Sequence, residues 1–316
     1  MKHALDAGVP VNADIWPRKS LEGGLLRIPV GPEGSLCGVR LLTFLDGALF
    51  KSVPQTPALW EDLARVLARL DEALLSCRVE GLEGKSSWNM RHLEQTWAEL
   101  LPSLTADVVS PEQSTLLKRG MAVFEAFKKD VEPRLRMSVI HSDANEANLL
   151  VDPVSCTRIT GILDWGDCSE NYLVADCSTA ALYLVLLLMD VTGQGREDRP
   201  ALLEALRASL GRDDAREELL RPESPLHFLA PLVVFARAYH ARLPLEAAEQ
   251  LALRPLLAGR LVQSLSQGAL AAAERPDNAA YVLTTARSGW ALLELLLELS
   301  DAEFLQICGL PGSENA

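Results

Sequence analysis

The sequence predicts an α+β fold in which a small, β-containing N-terminal part precedes a large, mainly α-helical part. Two apolar, strand-like runs surround a Gly/Pro turn between Gly23 and Leu45. From Pro57 onward, apolar residues recur at three- and four-residue spacing, which is typical of amphipathic helices. Two further strand-like runs, within residues 148–163, interrupt the helical pattern once.

The composition is that of a globular protein, with 48% hydrophobic and 23% charged residues among 316. The formal net charge of −13 would repel nucleic acid and an anionic membrane, and no basic patch offsets it. We therefore expect neither as a partner. The charge is compatible with a small cationic substrate, although an acidic surface that only maintains solubility explains it more simply.

Cysteine usage and apolar stretches predict a cytoplasmic protein. The six cysteines are scattered without a C-x-x-C pair, and no signal peptide opens the chain, which favours a reducing compartment. The apolar stretch Cys177–Met189 lies between Asp176 and Asp190 and is shorter than the roughly 20 residues of a membrane span. We predict that it forms a buried helix.

The N-terminal elements are predicted in order. The runs between Gly23 and Leu45, with a turn at residues 31–34, predict a β-hairpin. The apolar stripe after Pro57 predicts a helix over residues 57–75, and a similar stripe predicts a second helix over residues 111–135.

The strand-like runs at residues 148–151 and 159–163 predict an antiparallel hairpin, because the Asp152-Pro153 pair between them favours a turn. Everything after Asp176 again has helical spacing, including the segments at residues 226–243 and 288–299.

A polar loop, "VIHSDANEANLLVD" at residues 139–152, leads into this hairpin. Asn148 begins the first strand and Asp164 follows the second, so antiparallel pairing places the two at the same end. Asp143 lies in the loop that enters that end. Such hard oxygen ligands suit Mg²⁺, whose remaining coordination positions are commonly filled by water and substrate phosphates.

The spacing also matches a phosphoryl-transfer pattern. In kinases, a catalytic-loop Asp precedes an Asn by five residues, and a metal-binding Asp-x-Gly follows after a hairpin. Asp143, Asn148 and "DWG" at residues 164–166 have this arrangement. Phosphoryl transfer needs neutralised phosphates and a carboxylate that orients and receives the proton of the attacking hydroxyl. This loop contains residues for both tasks.

With these motifs, "HSDANEANLLVD" and "GILDWGD", the chain resembles the aminoglycoside phosphotransferase/choline kinase family of the protein-kinase-like fold. Ser142 replaces the glycine usual in its H-G-D motif, a change that costs backbone freedom without removing a ligand. Within the family, the chain most resembles the hydroxylysine kinases, through "VRLLTFLDG" at 39–47, "WNM" at 88–90 and "TTARSGWALLELL" at 284–296.

The resemblance implies a kinase that phosphorylates the hydroxyl of 5-hydroxy-L-lysine, a small cationic amino-alcohol, with GTP or ATP and Mg²⁺. It also implies that Asp143 is the catalytic base, that His141 orients the loop, and that Asn148 and Asp164 are the metal ligands. By the same resemblance, the purine would meet backbone groups of Leu42, Thr43 and Phe44. Trp88 and Asn89 would lie on the acceptor side. Asp176 has two alternatives, the N-cap of the apolar helix or a supporting residue on the acceptor side of the active site.

The N-terminus departs from the family pattern. A complete small lobe would contain a Gly-rich phosphate loop, a strand lysine and a helix glutamate. Lys2, Lys19 and Lys51, by contrast, lie outside apolar strands. We therefore expect residues 1–46 to be the remnant of an N-lobe with its interlobe segment, and residues 47–316 to be the helical lobe. Two alternatives remain open: a catalytically impaired, kinase-like binding or regulatory protein, and a kinase for choline or an aminoglycoside.

Overall fold

Among its described residues, the N-terminal part contains one short helix and two small antiparallel sheets. The computed structural model describes residues 1–16, 26–30, 35–39, 41–84, 86–195, 199–210, 212, 214–284 and 286–311. Helix α1 (Lys2–Asp6) precedes strand β1 (Asp14–Trp16), which pairs with β4 (Leu41–Leu42). Strands β2 (Leu26–Val30) and β3 (Ser35–Val39) form the predicted hairpin, whose turn at residues 31–34 lies outside the described residues.

Two further sheets surround the polar loop. Strands β5 (Ala48–Leu49), β7 (Leu149–Val151) and β8 (Ile159–Ile162) form a three-stranded sheet in the order β5-β7-β8. Strand β6 (Met137–Ile140) pairs with β9 (Ser169–Tyr172). The antiparallel register that sets Leu149 opposite Ile162 confirms the predicted second hairpin.

Helices make up most of the remaining structure. They are α2 (Pro57–Leu74), α3 (Leu93–Leu100), α4 (Pro111–Asp130), α5 (Leu173–Thr192), α6 (Arg199–Leu210), α7 (Ala215–Leu220), α8 (Ala230–Arg242), α9 (Ala247–Glu274), α10 (Ala279–Val282), α11 (Ala286–Glu298) and α12 (Asp301–Cys308). The α+β fold class predicted from the sequence is therefore confirmed.

Local sequence explains where the predicted helices begin and end. Helix α2 has Thr56 as its N-cap, whose hydroxyl accepts a hydrogen bond from the Leu59 N–H, and Pro57 follows in the first turn. Helix α4 begins with a capping box formed by Ser110 and Gln113. It ends at Asp130, five residues before the predicted end, because Pro133 lacks an N–H and cannot continue the helical hydrogen bonds.

The long helices pack around α5 and α9. Helix α5 is long and apolar enough to cross a membrane, but 78% of its most apolar window is buried inside the protein, as expected for a core helix. Helix α9 packs on α4, α5 and α11. It is tied to the entrance of β6 by Arg136, whose guanidinium donates to both oxygens of the fully buried Glu249 at 2.8 and 2.6 Å. This pair links the first turn of α9 to the strand that leads into the polar loop.

Candidate active site

The hairpin brings the predicted aspartates and asparagine together. The Leu163 N–H donates to the Asn148 carbonyl at 2.8 Å, which places Asp164 beside Asn148 at the end of β7 and β8. The Asn148 side-chain amide donates to the Asp143 carbonyl at 3.0 Å and to Asp143 Oδ2 at 2.9 Å. The predicted proximity of these three residues is confirmed.

The Asp143 carboxylate is held by three donors. Besides Asn148, the Asn145 amide donates to Oδ2 at 2.8 Å, and Arg260 Nη2 donates to Oδ1 at 2.9 Å. Only 18% of the Asp143 side chain is exposed. Burial raises the pKa of Asp143, while the positive charge of Arg260 and the Asn145 hydrogen bond oppose this rise. The result is an oriented, partly desolvated carboxylate, as general-base chemistry requires.

Asp176 fixes the backbone just before Asp143. This carboxylate is fully buried and accepts hydrogen bonds from the His141 N–H at 2.9 Å and the Ser142 N–H at 2.7 Å. Ser142 has a φ of 70°, in the left-handed region that favours glycine, which is the residue usual at this position in the related motif. Its hydroxyl lies 2.9 Å from that of Ser169. The two bonds to Asp176 therefore help to hold a strained turn in the polar loop.

His141 links the loop to the "DWG" segment. Its Nε2 is 2.9 Å from the Leu163 carbonyl, and its Nδ1 accepts a bond from the Asp143 N–H at 3.3 Å. These contacts suit a neutral ring that carries its proton on Nε2. The ring also packs edge-on against Trp165, with centroids 5.1 Å apart. His141 therefore joins the polar loop to the end of β8 and to Trp165.

Asp164 lies at the end of the second hairpin with its carboxylate accessible. It is exposed, has a φ of 54°, and accepts a hydrogen bond from the Gly166 N–H through Oδ1 at 3.1 Å. A Cβ on Gly166 would lie 3.0 Å from that same oxygen, so the glycine leaves space for the carboxylate. The strained backbone turns the Asp164 side chain at the end of the hairpin, next to Asn148.

The donor set fits Mg²⁺ when phosphates complete its coordination. Among the described residues, no group of three or more His, Cys, Asp or Glu side chains could hold a metal alone. Asn148 and Asp164 supply one amide and one carboxylate, and the Asn148 Nδ2 faces Asp143, which leaves the amide oxygen for another partner. Mg²⁺ usually takes one or two carboxylates, with water and substrate phosphates as the other ligands.

In the segment predicted to meet the purine, residues 42–44, some backbone hydrogen-bonding groups are already bonded within the chain. The Thr43 N–H donates to the Ala13 carbonyl at 2.9 Å, and the Thr43 carbonyl accepts from Asn12 Nδ2 at 2.7 Å. Leu42 pairs with β1, whereas Phe44 is 87% exposed. Of the three residues, Phe44 thus has the most accessible surface for a ligand.

A cavity of about 410 Å³ adjoins the polar loop. Its walls include Asn145, Glu146, Trp88, Tyr183 and Lys51. Glu146 Oε2 is buried and has no hydrogen-bond partner among the described residues. Burial raises the pKa of Glu146, and the positive charge of Lys51 opposes the rise. An unpaired carboxylate oxygen beside a cavity is suited to a cationic ligand.

Two residues predicted near the acceptor have structural positions instead. Asn89 is 1% exposed, donates to the Glu170 carbonyl at 3.2 Å, and accepts from the Arg91 N–H at 3.0 Å, so it holds the turn after Trp88. Asp176 is also too buried to contact an acceptor, and its bonds from the His141 and Ser142 N–H groups agree with the other alternative, support of the active-site loop. It is not an N-cap either, since Tyr172 occupies the N-cap of α5 and Asp176 lies within its first turn. Of the acceptor-side candidates, only Trp88 lines the cavity.

Sequence reasoning missed two residues of this site. Glu146 is part of the quoted loop but carries no motif position of its own. Arg260 lies 117 residues from Asp143, in an apolar stretch of α9. The only signal for it was a charged residue in a helix turn that is otherwise apolar, which indicates a buried charge with a partner but does not identify the partner.

Comparison with known proteins identifies related sequences. The phosphotransferase enzyme family (APH) matches residues 1–220. A hydroxylysine kinase from Danio rerio is 26% identical over 271 residues, which are 84% of this chain and 64% of the relative. The chain thus spans less than two thirds of that relative's length.

Solved structures share the fold. The microcompartment-associated aminopropanol kinase aligns with a TM-score of 0.60 at 19% identity, covering 97% of this chain and 84% of that one. A spectinomycin phosphotransferase solved with ADP and spectinomycin aligns with a TM-score of 0.57 at 13% identity, covering 96% and 80%. The kinase-like fold expected from the motifs is therefore confirmed.

Proposed function

Since the chain belongs to the phosphotransferase enzyme family, we propose that it transfers the terminal phosphoryl group of GTP or ATP to the hydroxyl of a small amino-alcohol, with 5-hydroxy-L-lysine as the acceptor. Hydroxylysine kinase is the name of the Danio rerio relative, and aminopropanol kinase that of a protein with the same fold. Both names describe kinases of small aminated alcohols, and this supports the acceptor class.

The observation that carries the proposal is the joint position of Asp143, Asn148 and Asp164. One oriented carboxylate lies beside two hard oxygen donors at the end of a single hairpin. Kinases require this combination, because the acceptor hydroxyl must be deprotonated close to the phosphates that the metal neutralises.

The residues of the chain have separate tasks in the reaction. Asp143 accepts a hydrogen bond from the acceptor hydroxyl and receives its proton as the oxygen forms its bond to the γ-phosphorus and the bond to the β-phosphate oxygen breaks. His141 and Asp176 hold the loop that carries Asp143. Mg²⁺ held by Asn148 and Asp164 would neutralise the phosphate oxygens.

The donor nucleotide would bind between the metal residues and the segment Leu42–Phe44. Because the backbone groups of Thr43 are bonded to Asn12 and Ala13, and Leu42 pairs with Asp14 of β1, we assign the purine contact to Phe44. The exposed ring of Phe44 could cover a purine face.

The charges around the cavity support an amino-acid acceptor. Hydroxylysine carries two ammonium groups and one carboxylate. Glu146 offers an unpaired buried oxygen to an ammonium group, and the exposed Lys51 offers a cation to the carboxylate. Trp88 and Tyr183 provide apolar surface for the methylene chain between them.

The test is a panel of acceptors with ATP and GTP at fixed Mg²⁺. Hydroxylysine, choline, ethanolamine and an aminoglycoside are the candidates, and lysine, which lacks the hydroxyl, is the control. We expect phosphorylation of hydroxylysine and none of lysine. Turnover of choline but not hydroxylysine would overturn the acceptor. Nucleotide binding without turnover of any acceptor would favour a kinase-like binding protein instead.

A Glu146→Gln variant tests the acceptor cavity itself. Loss of a charge-assisted hydrogen bond, worth about 1.5–3 kcal/mol, should raise the KM for hydroxylysine by about tenfold or more and leave the KM for the nucleotide unchanged. Glu125→Gln, on the exposed surface of α4, is the matched control. An unchanged KM for hydroxylysine in the Glu146 variant would show that the acceptor binds elsewhere.

A further inference from the structure

Arg260 is a buried arginine whose guanidinium joins the catalytic loop to the wall of the acceptor cavity. It is 3% exposed. Nη2 donates to Asp143 Oδ1 at 2.9 Å, and Nη1 donates to Gln263 Oε1 at 3.1 Å and to the Trp88 carbonyl at 3.4 Å. The guanidinium carbon lies 4.7 Å from the centroid of the Trp88 ring and 5.8 Å from that of Tyr183.

The helix that carries Arg260 is held closely at this point. A Cβ on the preceding Gly259 would lie 2.7 Å from the Phe124 ring, 2.9 Å from Met90 and 3.0 Å from Leu93. Helix α9 therefore has no room to move toward α4. The side chain of Gln263, which accepts a bond from the guanidinium, is itself held because its amide donates to the Ser87 carbonyl at 2.6 Å.

The contacts of Asp143 leave one of its lone pairs free to accept a further hydrogen bond. An ionised carboxylate can accept about four hydrogen bonds. The amides of Asn145 and Asn148 use two on Oδ2, and Arg260 uses one on Oδ1. One site on Oδ1 remains. A carboxylate bonded on both oxygens cannot rotate freely, so this last site has a fixed direction.

We propose that Arg260 is a positioning residue for phosphoryl transfer: its guanidinium holds the Asp143 carboxylate in the orientation that leaves one lone pair of Oδ1 for the acceptor hydroxyl. This inference rests on the function proposed above. Arg260 does not line the cavity; Trp88 and Tyr183, which pack on it, do. Arg260 therefore acts through Asp143 and not by contact with the acceptor.

A double-mutant cycle separates positioning from a purely structural role. Arg260→Met should lower kcat by about 10²-fold, the cost of a misplaced catalytic group, with the KM for the nucleotide unchanged. In the Asp143→Asn background, the same substitution should lower kcat by less than about threefold, because the group it orients no longer acts as a base. Arg260→Lys, which keeps the charge but loses the planar fork, should recover part of the loss.

The cycle has a matched control and decisive outcomes. Arg254→Met removes another partly buried arginine of α9, which pairs with Asp301 and lies apart from the loop, and it should leave kcat unchanged. If Arg260→Met fails to fold, the kcat of Arg260→Lys is compared with wild type, and that of the Asp143→Asn, Arg260→Met double variant with Asp143→Asn alone. The double variant leaves neither charge unpaired. If an acceptor is phosphorylated but Arg260→Met costs as much in both backgrounds, only the positioning role is overturned. If no acceptor is phosphorylated, the proposed function fails first and the positioning role falls with it.

Discussion

Ser142 combines an unfavourable backbone conformation with a favourable buried hydrogen bond, and two substitutions separate the effects. Its φ of 70° lies in the left-handed region, where the contact of the Cβ with the following carbonyl oxygen costs roughly 1–2 kcal/mol. Its hydroxyl lies 2.9 Å from the Ser169 hydroxyl in a site where both residues are 5% exposed. Loss of one partner of a buried hydrogen bond costs about 1–3 kcal/mol.

These magnitudes predict an order of stability. Ser142→Ala keeps the strained Cβ and loses the hydroxyl, so the free energy of unfolding should fall by about 1–3 kcal/mol. Ser142→Gly also loses the hydroxyl, but it removes the backbone strain. The larger entropy of glycine in the unfolded chain offsets part of this gain. The glycine variant should therefore be about 1 kcal/mol more stable than the alanine variant. Ser142→Ala with Ser169→Ala should lose less than Ser142→Ala alone, because no hydroxyl is left unpaired.

Urea denaturation followed by circular dichroism measures all four proteins, provided that the dependence of the free energy on urea is the same. An alanine variant more stable than the glycine variant would refute the claim that the loop is strained at Ser142. Equal losses in the single and double alanine variants would refute the claim that Ser169 depends on this partner.

Two further predictions concern the core. Burial, together with repulsion from Asp176, raises the pKa of the fully buried Asp71, whose carboxyl group accepts a hydrogen bond from the Tyr239 hydroxyl. Because the folded pKa lies above the unfolded one, the contribution of Asp71 to stability is present at low pH. It is lost as pH rises toward the folded pKa. Relative to wild type, Asp71→Asn should gain stability as pH rises above about 4, by up to about 1.4 kcal/mol per pH unit in urea titrations, and a difference independent of pH would contradict this. Gly120→Ala should destabilise the protein by about 1–3 kcal/mol, because the new Cβ would lie 2.5 Å from Val262 Cγ2 between α4 and α9; an unchanged thermal midpoint would contradict that close contact.

Local chemistry made much of the fold predictable. The apolar stripe and the N-cap of α2 are encoded within a few residues, and so is the hairpin around Asp152-Pro153. The end of α4 was missed because its stripe continues past Asp130 while Pro133 prevents the helix from doing so. Periodicity reports which face is buried and does not report where hydrogen bonding stops.

The site was predictable only where a motif placed its residues. The spacing from Asp143 to Asn148 and the hairpin that returns to Asp164 set their proximity. The contact of Arg260 with Asp143 joins elements 117 residues apart, and no local pattern encodes such a distance. Burial also decided the roles of Asn89 and Asp176, and it depends on packing that only the folded chain shows.

The most direct test of the account compares Asp143→Asn with Asp164→Asn in one set of measurements, with calorimetric binding of the nucleotide at several Mg²⁺ concentrations and turnover of hydroxylysine. Asp164→Asn should weaken nucleotide binding and shift the Mg²⁺ dependence to higher concentrations, because a charged oxygen ligand is lost. Asp143→Asn should leave binding nearly unchanged and lower turnover by about 10²- to 10⁴-fold, the usual effect of losing a general base. An equal loss of nucleotide affinity in both variants would mean that both aspartates bind the metal, and would contradict the assignment of Asp143 as the base.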